Sequence, residues 1–203
     1  MEISSAIAAP EPEDAPDKRR RKLLVTVTSA ALGAGAVAAS VPFFASFAPS
    51  ERARALGGPV EADLAQLAPG QLQTVEWRRR PVWILRRSQA MLDRLGTYDD
   101  RLRDPASAQP QQPEYCKNAA RSIKPEFLVA IGLCTHLQCI PSFLPETGAV
   151  GNDGQGGFFC PCHGSKFDLA GRVFKNVPAP TNLVIPPHGY LSESRILIGS
   201  EKT

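Results

Sequence analysis

Two short loops in the second half of the chain constrain its fold more than any other feature. They are Cys134-Thr135-His136-Leu137-Gln138-Cys139 and Cys160-Pro161-Cys162-His163-Gly164-Ser165. Cys134 with His136, and Cys160 with His163, put one thiolate and one imidazole on one side of a tight turn. Two thiolates and two neutral imidazoles suit zinc, or an iron–sulfur cluster in which His replaces Cys on one iron. A catalytic Cys–His nucleophile is a third chemistry, but it leaves half of this set idle. Each loop also carries a second cysteine, Cys139 or Cys162. Structural zinc loops usually repeat one spacing and need no such extra pair. The two spare cysteines could staple the loops together, and a disulfide persists only in an oxidising compartment.

The N-terminal quarter adds a second constraint. Lys18-Arg19-Arg20-Arg21-Lys22 is followed by Leu23 to Ser50 without a charged residue. A membrane-spanning helix needs about 20 apolar residues, so this stretch is long enough. The bases on its N-terminal flank place that end in the cytoplasm. The apolar run exceeds the h-region of a cleaved signal peptide, which favours an uncleaved anchor. Arg20-Arg21-Lys22-Leu23-Leu24 also resembles a twin-arginine export signal, a route that moves folded proteins. Gly33 and Gly35 permit close approach to a neighbouring helix, and Pro42 is expected to kink the outer end. Residues 1–17, rich in Ala, Pro and acids, read as a disordered tail. Pro49 to Pro59 is small, polar and Gly-containing, a flexible linker. The expected organisation is a cytoplasmic tail over 1–22, a transmembrane anchor over 23–48, a hinge over 49–60 and a head over 61–203.

A net charge of +3 and the absence of a basic patch with interleaved aromatics exclude a nucleic-acid partner. Five cysteines leave Cys116 over, read as a small buried free thiol. The third histidine, His188, lies on a turn away from both loops and reads as structural or solvated.

The head is expected to be all-β. Val75 and Trp77, then Val82 to Leu85, flank Arg78-Arg79-Arg80-Pro81 and predict two antiparallel strands around a turn. Ser88 to Gly96 predicts one short helix, with Ser88 as N-cap and Gly96 just past the end. Phe127 to Leu133 predicts a buried strand entering the first loop, and Phe158-Phe159 leads into the second. Asn182 to Ile185 and Arg195 to Ile198 are expected to be closing strands. Asp104 to Pro113 and the Gly-rich stretch from Ser142 to Gly157 read as loops.

C-T-H-L-x-C followed by C-P-C-H-G-S resembles the Rieske [2Fe–2S] proteins of cytochrome bc complexes. The likeness extends to the basic, apolar N-terminus, the hinge and the soluble head. Ser122-Ile123-Lys124-Pro125-Glu126-Phe127 and Lys166-Phe167-Asp168-Leu169-Ala170-Gly171-Arg172 resemble the proteobacterial branch. The resemblance implies an antiparallel β head with an inserted cluster-binding subdomain over about 128–182. It implies that Cys134 and Cys160 bind one iron of a single [2Fe–2S] cluster, that His136 and His163 bind the other, and that Cys139 and Cys162 form a disulfide. Ser165, after Gly164, is the implied hydrogen-bond donor to a bridging sulfide. Leu137 is expected to shield the cluster, and Val177-Pro178-Ala179-Pro180, with Pro178 at its centre, to cover it as a third loop. High-potential relatives carry Tyr where this chain has Phe167, which implies a lower potential here. Gln138 and Val177 stand where Gly is usual; a positive φ at Gln138 would cost about 1 kcal/mol.

The resemblance also implies a function. The head would take one electron, coupled to a proton, from ubiquinol through His163 and pass it to a c-type cytochrome. It would do so as a subunit of ubiquinol–cytochrome c reductase, a translocase of the respiratory chain. The implied partners are cytochrome b, a c-type cytochrome subunit, ubiquinol and the bacterial inner membrane, in a dimeric complex with the head periplasmic. The alternative is a Rieske subunit of another periplasmic oxidase such as arsenite oxidase. Oxygenase-type Rieske domains lack the extra cysteines, so Cys139 and Cys162 argue against that class.

Overall fold

The computed structural model describes residues 17–50, 53, 57–145, 150 and 156–200. The tail expected over 1–17 lies outside the described residues except for Asp17. So do most of the linker interior (51, 52 and 54–56) and two stretches of the 142–157 loop (146–149 and 151–155). The chain divides into two units, Met1–Ser50 and Glu51–Thr203.

The first unit is one helix, α1 (Lys18–Ala45), 28 residues long. At 1.5 Å per residue it measures about 42 Å, more than the hydrocarbon core of a bilayer. The Asp17 carboxylate accepts the Arg19 N–H at 2.9 Å, so the helix begins at the basic run rather than after it. No α1 residue is buried within the unit, and Leu32 is 74% exposed. An apolar surface of that size needs lipid or protein against it. The Thr26, Thr28 and Ser40 hydroxyls donate to the Lys22, Leu24 and Val37 carbonyls at 2.8, 2.8 and 2.7 Å. These three hydroxyls are thereby satisfied inside the helix. Pro42 lies within α1, which continues to Ala45.

The second unit carries β1 (Val60–Asp63), β2 (Leu72–Trp77), β3 (Arg80–Arg86), α2 (Gln89–Asp93), β4 (Phe127–Ile131), β5 (Ser142–Leu144), β6 (Gly157–Phe159), β7 (Lys166–Phe167), β8 (His188–Tyr190) and β9 (Arg195–Ile198). They form three antiparallel sheets, ordered β1-β9-β8, β2-β3-β4 and β5-β6-β7.

The middle sheet organises the head. β3 and β4 pair Val82 with Ile131, Trp83 with Ala130, Ile84 with Val129 and Leu85 with Leu128, and all eight are buried. Side chains alternate across a strand. Val82, Ile84, Val129 and Ile131 therefore pack with Ala62, Ile196 and Ile198 of the first sheet. Trp83, Leu85, Leu128 and Ala130 pack on the opposite side, with Phe158, Phe167, Cys134 and Cys160. A sheet covered on both faces needs continuous apolar runs, which these strands supply. Trp83 stacks on Phe158 at 4.9 Å and 13°, joining the middle sheet to the third. Gly132 makes that approach possible, because a Cβ there would sit 2.3 Å from the Trp83 ring.

Four expectations change. The Arg78–Pro81 turn contracts to Arg78 and Arg79, both left-handed (φ 50° and 60°), while Arg80 and Pro81 begin β3. Two left-handed residues match the right-handed twist of a two-residue hairpin. Asn182–Ile185 is not a strand. Its backbone serves three different segments: Leu183 N–H donates to Gly171, Ile185 N–H to Gln111, and Val184 O accepts from Ile131. The loop expected over 142–157 begins as strand β5. For α2, Ser88 caps the Met91 N–H at 3.4 Å as expected, but the helix stops at right-handed Arg94 and Gly96 is not left-handed.

Candidate metal centre

The two Cys–His loops are one turn built twice. Cys134 lies three residues beyond the end of β4 and Cys160 directly follows β6. In each loop the leading cysteine donates its N–H to the carbonyl five residues on: Cys134 to Cys139 and Cys160 to Ser165, both at 2.8 Å. In each, the residue four on donates back to that cysteine's carbonyl, Gln138 at 2.8 Å and Gly164 at 2.9 Å. This geometry requires the fifth position to be left-handed, and both residues are, with φ 63° and 75°. Glycine takes that conformation freely, and glutamine does not. Gln138→Gly is therefore expected to raise stability by about 0.5–1 kcal/mol. On a chain of this size that is roughly a 2–4 °C increase in midpoint per kcal/mol by calorimetry. A lower midpoint would show that the glutamine is unstrained.

The turns carry their cysteines inward. Cys134 and Cys160 are each 1% exposed, both are free thiols, and their side chains are in hydrogen-bonding contact. Burial pushes the Cys134 thiol up, and the Cys160 side chain adds to this. The His136 backbone and the Ser165 side chain oppose it by hydrogen bonding. Two thiolates at this depth need a cation beside them. A disulfide joins Cys139 to Cys162 and so ties one loop to the other. The sulfurs of Cys139, Cys162 and Cys160 lie within 4.8 Å of one another, so the disulfide packs against a free thiol.

The His136 and His163 rings meet edge to face, with centroids 4.8 Å apart. His136 Nδ1 is buried and has no hydrogen-bond partner. Buried ring nitrogens are seldom left unpaired. An electron-pair acceptor such as a metal ion answers that deficiency, and two thiols with two imidazoles are the donor set a mixed-ligand iron–sulfur cluster takes. His163 and Leu137 are exposed, Leu137 at 66%, which rules out core packing for Leu137.

A third loop closes over both. Thr135 Oγ1 donates to the Thr181 carbonyl at 2.7 Å, and the Ala179 N–H donates to Ser165 Oγ at 3.0 Å. The Ser165 hydroxyl, itself fully buried, keeps its proton for another acceptor. Ala179 is buried between exposed Pro178 and Pro180. Val177, standing where glycine was expected, has ordinary backbone geometry, and the left-handed residue is Asn176 (φ 60°). Phe167 is fully buried and pairs with Phe158 across β6 and β7.

Sequence reasoning missed Thr135, Ala179 and three buried arginines, Arg87, Arg121 and Arg172. Thr135, Ala179 and Arg172 fell in quoted motifs, without a role; Arg87 and Arg121 fell in none. Cys116 is fully buried, its thiol pushed up to about 11 by burial. His188 opens strand β8 rather than lying on a turn, and it is structural rather than solvated: it is 1% exposed, Nδ1 lies 2.8 Å from the Pro186 carbonyl, and burial depresses its pKa.

Paired Cys–His turns on stacked antiparallel sheets define a Rieske-type iron–sulfur protein, and residues 60–187 match the Rieske [2Fe-2S] domain family. The ubiquinol–cytochrome c reductase iron-sulfur subunit of Allochromatium vinosum is 60% identical over 188 residues, covering 92% of this chain and 91% of that protein. The subunit of the same name from Bradyrhizobium diazoefficiens is 38% identical over 181 residues, covering 89% and 94%. A chain of a solved structure described as hyperthermophilic respiratory Complex III aligns with TM-score 0.47 and 24% identity, covering 85% of this chain and 98% of that one. The chain belongs to the family of Rieske iron–sulfur subunits of ubiquinol–cytochrome c reductase.

Proposed function

We propose that this chain carries electrons within a ubiquinol–cytochrome c reductase, taking one electron and a proton from ubiquinol and passing the electron to a c-type cytochrome. The observation that carries this reading is the pairing of two buried free thiols with an orphaned His136 Nδ1 and an exposed His163. Cys134 and Cys160 would hold the inner iron, and His136 and His163 the outer one. When bound, a [2Fe–2S] cluster with two imidazoles in place of thiolates supplies a one-electron acceptor at about −150 to +300 mV.

The protein's own residues do the rest. His163 reaches the surface; with one ring nitrogen on the metal, its other nitrogen would accept a quinol hydroxyl's hydrogen bond, and then its proton, once that nitrogen has lost its own proton, a loss an oxidised metal would favour. Exposed Leu137 and Pro178 offer apolar surface that would exclude water on contact with a partner. Ser165 directs its hydroxyl proton at sulfur, which favours the reduced state. The partners are cytochrome b and a c-type cytochrome in a dimeric, proton-translocating complex. α1 crosses the bacterial inner membrane with Lys18–Lys22 on the cytoplasmic side and the head in the periplasm. The 60% identical relative supports this assignment over an arsenite-oxidase subunit.

Electron paramagnetic resonance on ascorbate-treated membranes containing the full chain tests the reading. The expected result is a rhombic signal with average g below the free-electron value. A signal appearing only with dithionite, or zinc in place of iron, would overturn it.

A further inference from the structure

Directly behind the second cluster loop the chain runs from Lys166 to Phe174 through a turn whose carbonyls are held by buried arginines. Arg87 Nη1 donates to Leu169 O, and Arg121 Nη1 to Ala170 O and Gly171 O, all at 3.2 Å. The remaining bonded donors of these two side chains go to neutral groups, and Arg121 Nε is buried without a partner. Arg87 reaches Pro125 O, Ala120 O and Ser122 Oγ; Arg121 reaches Leu183 O and Gln112 Oε1. Neither forms a salt bridge among the described residues. Arg172, by contrast, pairs with Asp168 at 2.8 Å and Asp99 at 2.9 Å.

We propose that the charges of Arg87 and Arg121 raise the reduction potential of the bound cluster through space, as positioning residues for its electron. The proposal rests on the cluster reading above. Both guanidiniums stay charged: burial lowers each to about 10, still well above neutral pH. Three buried arginines face only two buried carboxylates, Asp168 and Asp104, so the interior here is net positive. The turn they hold is part of the cluster's own surroundings, since Leu169 and Ala170 share one buried core with Cys134 and Cys160. Burial removes the water that would screen them. A positive field favours whichever cluster state carries the additional electron. A turn that needed only its carbonyls capped could use neutral donors at far lower desolvation cost.

The test is a redox titration, followed by paramagnetic resonance, of the full chain in membranes as Arg87→Met, Arg121→Met, Arg121→Lys and Asp99→Asn. At fixed ambient potential the reduced-to-oxidised ratio is expected to fall on the order of three- to tenfold in each Met variant. It is expected to stay near the parent value in Arg121→Lys and to rise in Asp99→Asn, which removes a half-exposed negative charge from Arg172. The g-values are expected to remain those of the parent, because no ligand changes. Met variants with the parent ratio, or a Lys variant that falls as far as Met, would overturn the proposal. If the Met variants fail to assemble a cluster, Arg87→Gln and Arg121→Gln, which keep side-chain donors for the turn but carry no charge, decide, and a parent ratio in both overturns the proposal. Absence of any signal in the parent would instead refute the cluster reading.

Discussion

Replacing Cys139 and Cys162 together by alanine is expected to abolish the iron–sulfur signal while leaving the rest of the head folded. The bond links residues separated by 23 positions and is the covalent tie between the two loops, which otherwise meet through non-covalent contacts and the third loop. Loop-closure entropy assigns such a link roughly 3 kcal/mol. That is large for the third sheet, whose strands have three, three and two residues. The middle and first sheets form their own buried core around Ile84, Val129 and Ile196 without either loop. Loss of the disulfide therefore falls on the cluster site first. Iron content per chain and the paramagnetic signal are expected to vanish together. The circular dichroism of the head is expected to persist, with a lowered unfolding midpoint. Full iron occupancy in the double variant would mean that the Thr135–Thr181 and Ser165–Ala179 hydrogen bonds hold the loops unaided.

Phe167→Tyr is expected to raise the reduction potential. Phe167 is fully buried in the same core as Cys134 and Cys160, where an added hydroxyl has no water to satisfy it. Left without an acceptor it costs about 1–3 kcal/mol of stability. A sulfur ligand gaining charge on reduction is the acceptor that offsets this. A preference for the reduced state of about 1.4 kcal/mol corresponds to about 59 mV for one electron. An upward shift on the order of 60 mV in a redox titration is thus the expected result. A destabilised variant with unchanged potential would show that the hydroxyl does not reach a sulfur.

Much of the site was legible in the sequence because its chemistry is local. Cys–His spacing within six residues fixes which side chains share a turn, whatever surrounds the turn. The left-handed positions could be read the same way: Gly164 shows where the turn needs glycine, and Gln138 stands at the equivalent place. β3 and β4 were legible because a sheet buried on both faces leaves an uninterrupted apolar run. Asn182–Ile185 carries the same apolar signature yet forms no strand, because its hydrogen bonds go to three separate segments. Periodicity records burial but not the identity of the hydrogen-bond partner. Short strands such as β7, two residues long, carry too little pattern to be seen at all.

By itself, the sequence determined the two matched turns with their paired Cys and His residues, the long apolar helix and the strands of the middle sheet. All of these follow from spacing, charge and hydrophobic pattern over a few residues. The disulfide between Cys139 and Cys162 that the resemblance implied is present; tertiary structure alone decided that His136 Nδ1 is buried without a partner and that Thr135 and Ser165 pin the third loop. It alone placed three arginines in the interior. Their partners, Leu169, Ala170 and Leu183 among them, lie as far as 82 residues away in the chain. A buried guanidinium is tolerated where folding brings carbonyls or carboxylates to it, and no local pattern in the chain encodes that convergence.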